Sequence, residues 1–288
     1  MLLGVNIKFE LFDTGYCQQN QQMVFPSKKR GKMAFHSLVA LLHHPAQGWM
    51  VFDTGYGKGF WDGTKSFPYR LYRYATPVHF HEEQEISAQL ARNGVFPHDI
   101  KHIIMSHFHG DHTGGLWKFT ESAIITHLDA INSIQNKKGF AAVVKGFLPH
   151  NVREIPPTQF RFIQDQRRIQ LDERFYPFTD GYDVFEDGSV IAVDLPGHAK
   201  GQIGIFFQSL EHGIIFLCAD STWSRESLIK NEKPHRFTHF LMDNVVEFYD
   251  SFERVRKVYE MDNGITIIPT HCLQVYKEWA EGRYRECF

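Results

Sequence analysis

The segment SHFHGDHTGG (106–115) places three imidazoles and a carboxylate, His107, His109, Asp111 and His112, within six residues. It ends an apolar run, HDIKHIIMS (98–106), that reads as a β-strand. A solvated loop has little reason to carry such a density of ligand-type side chains, and metal binding accounts for it. In an extended loop the i, i+2 pair His107 and His109 points to one side. Asp111 and His112 open the following helix and face a second point close by, so one turn serves two neighbouring metals. Gly110, Gly114 and Gly115 allow the close backbone approach that this turn needs. The segment therefore demands a strand followed by a sharp strand-to-helix turn, where α/β folds build their sites.

The rest of the chain supplies the sheet. VNIKFELFD (5–13), HSLVALLHH (36–44) and GWMVFDTG (48–55) read as strands, the last two joined by the Pro-Ala-Gln-Gly turn at Pro45. Residues 82–92 have helical spacing with Ile86, Leu90 and Ala91 on one face and Gly94 at the C-terminal stop. SAIITH (122–127) is a further strand, and residues 129–177 are a mixed, proline-containing stretch that reads as a lid-like insertion into a single domain spanning 1–288. SVIAVDLPGH (189–198), IGIFFQ (203–208) and GIIFLCADS (213–221) are strands, the last two forming a hairpin around Leu-Glu-His-Gly. Val245, Phe248, Phe252, Val255 and Tyr259 mark an amphipathic helix over 244–260, and GITIIPTHC (264–272) is a last strand that ends, like two before it, in a candidate ligand.

Charge bears on the partners. Thirty-one lysines and arginines balance thirty-three acidic residues, with no long run of one sign, which argues against nucleic-acid capture. No stretch approaches the ~20 apolar residues of a membrane span and no secretory leader precedes the first strand, so the expectation is a soluble, cytoplasmic protein. Cys17, Cys218, Cys272 and Cys287 are scattered without CxxC spacing, as reduced thiols are. Among seventeen histidines, His36, His43, His44, His79, His81, His98, His102, His127, His150, His212, His235 and His239 lack a partner at ligand spacing and read as loop or surface groups.

HFHGDH matches the HxHxDH motif of the metallo-β-lactamase superfamily, and the chain resembles that family over roughly residues 5–271. The resemblance implies an αββα sandwich, two mixed β-sheets packed face to face with helices on the outer faces. It also implies that His107, His109 and His198 bind one divalent metal, that Asp111, His112 and His271 bind a second, and that Asp220 bridges them. Asp53, in the family's Asp-Thr-Gly turn, is expected to orient a ligand rather than to bind metal. Nitrogen and oxygen donors without thiolate suit zinc, and iron, manganese or cobalt also accept the set. Cys218 and Cys272 lie near ligands but in apolar strand ends, as buried thiols do.

Two metals about 3.5–4 Å apart hold a bridging hydroxide at neutral pH, the expected nucleophile, while Asp111 or Asp220 passes a proton to the departing group. Within the superfamily the chain is most similar to the N-acyl-homoserine lactonases. The chain stops 17 residues after His271, leaving no room for the helical domain of glyoxalase II relatives. A small-molecule lactone or ester substrate is expected, with quorum quenching as the implied role. Phe25, Phe35, Phe60, Trp61, Phe67, Tyr69, Tyr72 and Tyr74 line an acyl pocket, fill the core or form a homodimer contact. One departure stands out: where those lactonases have a substrate-contacting tyrosine three residues after the bridging aspartate, this chain has Trp223, taken here as the third catalytic candidate beside Asp111 and Asp220. A thioesterase, a phosphodiesterase and an iron-dependent redox member of the superfamily remain as alternatives, and a binding protein without turnover is disfavoured because no ligand is missing.

Overall fold

The computed structural model describes residues 2–284, so Cys287 lies outside the described residues. The strands in chain order are β1 (Asn6–Asn20), β2 (Lys32–His44), β3 (Gly48–Phe52), β4 (Val78–His79), β5 (Ile100–Ile104), β6 (Ala123–Thr126), β7 (Phe160–Phe162), β8 (Arg167–Gln170), β9 (Asp180–Asp183), β10 (Val190–Asp194), β11 (Ile203–Ser209), β12 (Gly213–Ala219) and β13 (Ile265–Pro269). The first seven make one mixed sheet, in the order β7-β6-β5-β3-β2-β1 with β4 on β1, and the last six make the other. Among the described residues the two join only where the start of β1 pairs in parallel with β11, Asn6 opposite Gln208 and Ile7 opposite Ser209. Helices α1 (Lys58–Gly63), α2 (Arg70–Ala75), α3 (Ile86–Arg92), α4 (Gly110–Thr113), α5 (Leu128–Ile134), α6 (Gly139–Val144), α7 (Arg225–Lys230), α8 (Val245–Glu260) and α9 (Leu273–Ala280) complete the chain. Among the described residues no helix is long and apolar enough to cross a membrane.

Period-two alternation explains the layering. Along β2, Leu38, Ala40 and Leu42 enter the core between the sheets, while Val39 and Leu41 face outward to Ile86 and Leu90 of α3. Along β10 and β12, Val190, Ala192, Ile215 and Leu217 point inward; Ile191, Val193 and Phe216 pack outward on Phe252, Val255 and Val258 of α8. Helices thus cover the outer face of each sheet, the αββα arrangement that the family resemblance implies. On α8 the buried stripe runs through Val258 rather than Tyr259, which is 41% exposed, because the helical turn carries position 259 past the sheet.

The pentapeptide FDTGY occurs twice, at 12–16 and 52–56, with different outcomes. In the first copy β1 continues past a bulge between Asp13 and Tyr16 and runs on to Asn20, well beyond the expected end. In the second the strand stops and Asp53 takes a left-handed conformation, φ 61°. The copies pack on each other: Thr14 Oγ1 donates to Ser37 O (2.7 Å) and accepts from Tyr56 N (3.1 Å).

Residues 129–177 divide by position. Within 139–147, Gly146 O accepts from Gly110 N (2.9 Å) and Phe147 bridges to His109, so this part covers the motif turn. Further along, β7 (FRF) and β8 (RRIQ) are short edge strands, one on each sheet.

Candidate metal centre

The motif turn follows β5, His198 follows β10, and Asp220 and His271 follow β12 and β13, all at C-terminal strand ends along one margin of the sandwich. The seven side chains converge there as three overlapping groups: His107 with His109 and His198, His107 with His112 and Asp220, and Asp111 with His112 and His271. Within each group the ligand atoms lie within 4.8 Å of one another. Asp220 sits between the halves, with Oδ2 3.2 Å from His198 Nε2 and 3.0 Å from His271 Nε2, and Oδ1 3.5 Å from His112 Nε2. His271 Nε2 is 3.4 Å from Asp111 Oδ2.

The residues fit a cation. His107 Nε2, His112 Nε2, His198 Nδ1 and Asp220 Oδ1 are all buried without a hydrogen-bond partner, an arrangement that costs free energy unless something else engages them. The opposite ring nitrogens are fixed. His271 Nδ1 donates to His36 O (2.6 Å) and His112 Nδ1 to Asp53 Oδ2 (2.8 Å). Ser106 Oγ donates to Asp53 Oδ2 (2.7 Å), leaving its lone pair for His107 Nδ1–H (3.0 Å), and Ser106 N donates to Asp53 Oδ1 (2.8 Å). One buried carboxylate, Asp53, therefore sets two tautomers and aims two Nε2 lone pairs at the centre.

Electrostatics sort the cluster. Burial, then neighbouring imidazoles, push His107 and His109 well below the ordinary histidine range. Burial also lowers His198, against the pull of Asp220. Burial works against a proton on His112 too, yet Asp53 and Asp220 outweigh it and hold His112 well above that range. His271 is raised because Asp220 prevails over burial. For Asp220 burial is outweighed by His271, His112 and His198, and its carboxyl lies well below the usual range. The carboxylates thus hold protons that a cation would replace.

Only His109 and Asp111 in the cluster are more than marginally exposed. A cavity of about 30 Å³, enough for about one water, adjoins His109 and His198 and is walled by Lys145, Leu241 and Asp243, with Lys145 and Asp243 ion-paired across it. A larger cleft of 320 Å³ lies behind α4, lined by Lys58, Trp117, His150 and Asn151, and contains none of the cluster side chains.

Trp223 is buried, and its Nε1 donates to Asp220 Oδ2 (3.3 Å). The aromatic candidates part company. Phe25, Phe35 and Phe60 are buried in a cluster with Tyr56, Trp223, Met242 and Phe248; Trp61, Tyr69 and Tyr72 are partly buried against it; Phe67 and Tyr74 are exposed. Two of the histidines read as surface groups are buried instead. His36 Nδ1 lies 3.0 Å from Asp13 Oδ1 and its ring stacks on Tyr276 at 3.5 Å, while His44 Nε2 lies 3.1 Å from Asp187. Both occupy β2, which the sandwich covers on both faces. Cys218 and Cys272 are buried thiols outside the cluster. The motif reading passed over Ser106, whose only signal is its place immediately before His107, and Tyr72, whose hydroxyl donates to Asp111 Oδ1 (3.4 Å).

Comparison with known proteins agrees with this architecture. N-acyl homoserine lactonase AttM of Azorhizobium caulinodans is 22% identical over 238 residues, 80% of each chain. A solved structure of Bacillus thuringiensis AiiA with N-decanoyl-L-homoserine at its active site superposes with a TM-score of 0.70 at 18% identity, covering 96% of this chain and 97% of that one. A solved N-acyl homoserine lactone hydrolase with N-hexanoyl-L-homoserine at its catalytic metal center gives the same TM-score, identity and coverage. The family model of the metallo-beta-lactamase superfamily matches residues 34–257, and the chain belongs to that superfamily.

Proposed function

We propose that this chain is a dinuclear-metal hydrolase that opens lactones or cleaves related esters. The observation that carries the reading is the set of buried, unpartnered atoms on His107, His112 and Asp220, all members of one of three overlapping ligand groups, with His198 Nε2 3.2 Å from Asp220 Oδ2. His107, His109 and His198 would hold one cation and Asp111, His112 and His271 the other, with Asp220 between them. The donor set suits zinc, and also iron, manganese or cobalt. When bound, such a pair supplies hydroxide near neutral pH and a Lewis acid for the scissile carbonyl.

The chain's own groups do the remainder. Asp53, Ser106 and the His36 carbonyl hold three imidazoles in the tautomer that presents Nε2 inward. Asp111, the more exposed of the two carboxylates, is placed to hand a proton to the departing alkoxide, with Asp220 locked among histidines. Lys145, inside the segment read as a lid, pairs with Asp243 to wall the cavity beside His109, and substrate would enter there.

A lactone is favoured because relatives matched over about four-fifths of the chain are N-acyl homoserine lactonases, and a neighbouring structure holds a ring-opened N-acyl homoserine at its metal center. The test is a hydrolysis screen of the zinc, manganese, cobalt and iron forms against acyl lactones, aryl esters, thioesters and phosphodiesters, with metal stoichiometry. Lactone or ester turnover with two metals per chain, abolished in Asp220→Asn, is expected. Preference for thioesters or phosphodiesters reassigns the substrate, and redox turnover without hydrolysis overturns the reading.

A further inference from the structure

Each carboxylate of the cluster carries one aromatic hydrogen-bond donor, and the two differ in surroundings. Trp223 donates its indole N–H to Asp220 Oδ2 at 3.3 Å, deep in the molecule, with its ring edge-on to His198 (5.8 Å) and packed near Phe248 of α8 (6.1 Å). Trp223 and Asp220 are both buried, and the indole N–H is engaged by the carboxylate. Tyr72, on α2, is only partly buried and donates to Asp111 Oδ1 at 3.4 Å, long beside the ~2.7–2.8 Å typical of O–H···O bonds. That hydroxyl is weakly committed, and it stands over one of the two cluster residues that reach solvent.

We propose that Tyr72 is a catalytic residue, the donor to the carbonyl oxygen of the substrate as negative charge builds on it. Trp223, by contrast, is a positioning residue that holds Asp220. The proposal rests on the hydrolase reading above. The reacting carbonyl has to arrive beside Asp111 and His109, and a hydroxyl fixed there before the reaction stabilises the oxyanion without reorganising, which is how such donors act. Tyr72 keeps its hydrogen throughout: hydroxide adds to the carbonyl carbon, Asp111 takes up the hydroxide proton, and as the ester carbon–oxygen bond breaks Asp111 passes that proton to the leaving alkoxide, which gives a carboxylate and an alcohol.

The ring's place is built. Phe60 meets it edge-on at 5.3 Å, and the absence of a side chain at Gly110 lets it approach the motif turn, since a Cβ there would lie 3.0 Å from Tyr72 Cε1. Removing the hydroxyl alone leaves this packing unchanged.

The experiment compares the zinc-loaded parent with Tyr72→Phe and Trp223→Phe. Three readouts are taken: zinc affinity by chelator competition, kcat and KM on a substrate from the screen, and calorimetric binding of a phosphonate that mimics the tetrahedral state and of the ring-opened carboxylate. For Tyr72→Phe, zinc affinity and carboxylate binding hold, kcat falls about 10²-fold with little change in KM, and phosphonate binding weakens at least about tenfold. For Trp223→Phe, zinc affinity falls while the ratio of phosphonate to carboxylate affinity is kept. Equal phosphonate affinity in the parent and Tyr72→Phe overturns the role of Tyr72, as does loss of zinc in Tyr72→Phe on the scale seen for Trp223→Phe. A parent with no hydrolytic turnover sinks the hydrolase reading instead, and the phosphonate arm still judges Tyr72 separately.

Discussion

Asp53→Asn is the sharpest perturbation available at this site, because it changes one atom and redirects two imidazoles. The Asp53 Oδ1 bond to Ser106 N (2.8 Å) survives in the amide, and asparagine tolerates φ 61°. At Oδ2, however, an NH2 group now faces Ser106 Oγ (2.7 Å) and His112 Nδ1 (2.8 Å). It cannot accept from either. His112 must move its proton to Nε2, and Ser106, now accepting from the amide, turns its own hydrogen toward His107 Nδ1 and drives that proton to Nε2 as well. Both lone pairs aimed at the cluster are replaced by N–H groups. Loss of such an outer partner costs about 10–100-fold in metal affinity per ligand, so two ligands give roughly 10²–10⁴-fold, or about 3–5.5 kcal/mol. The assay is zinc competition with a chromophoric chelator at pH 7 on metal-free parent and variant, with circular dichroism to verify the fold. Zinc affinity within about threefold of the parent would refute the relay through Asp53.

Three further outcomes are expected. Gly197→Ala should cost at least about 3 kcal/mol in urea unfolding, because a Cβ there would lie 2.0 Å from Phe248 N at a φ of 116°, and backbone cannot yield; a loss under about 1 kcal/mol contradicts this. Chelation should lower the melting temperature and zinc should restore it, by about 2.7 kcal/mol at a hundredfold excess over Kd; a melting temperature indifferent to zinc argues against a site formed only in the folded chain. Burial, then Asp111, push the Cys17 thiol from 9.0 up to about 12. The folded state therefore binds this proton more tightly than the unfolded one. Stability is complete below pH 9 and declines as pH rises from 9 toward 12, and Cys17→Ala should flatten that alkaline limb in unfolding titrations.

The features legible in the sequence are those that repeat a period or crowd a motif. β2, β3, β5, β10, β11 and β12 carry the alternating or continuous apolar pattern, and each was found close to its place. β8 (RRIQ) buries none of its residues and β9 (DGYD) buries only Gly181 and Asp183, so no hydrophobic signal betrays them and backbone pairing makes them strands. The two FDTGY copies expose a second limit: identical pentapeptides end one strand and bulge another, because His112 and Ser106 wait for Asp53 while His36 waits for Asp13. His107, His109, Asp111 and His112 are legible from their spacing, while His198, Asp220 and His271 come from the family resemblance laid over the strand ends. Tyr72 stands in the sequence only as one of eight aromatics for a pocket, a core or a dimer contact; its place beside Asp111 is set by the fold, since nothing local joins residues 72 and 111. The direction of the Trp223 indole, inward to Asp220, is likewise a product of packing by α8.

The single seam between the sheets bears on biosynthesis. Asn6 and Ile7 must wait for Gln208 and Ser209, some two hundred residues later, which at ribosomal rates of about 5–20 residues per second is roughly 10–40 s. Through that interval the nascent chain holds β1 against β2 with the edge at Asn6 and Ile7 unpaired, a surface open to chaperones and to neighbouring chains on a polysome. His107, His109, Asp111 and His112 emerge before Gln208 and Ser209, His198 close to them, and Asp220 and His271 after them, so the complete pocket for metal exists only once His271 has been made.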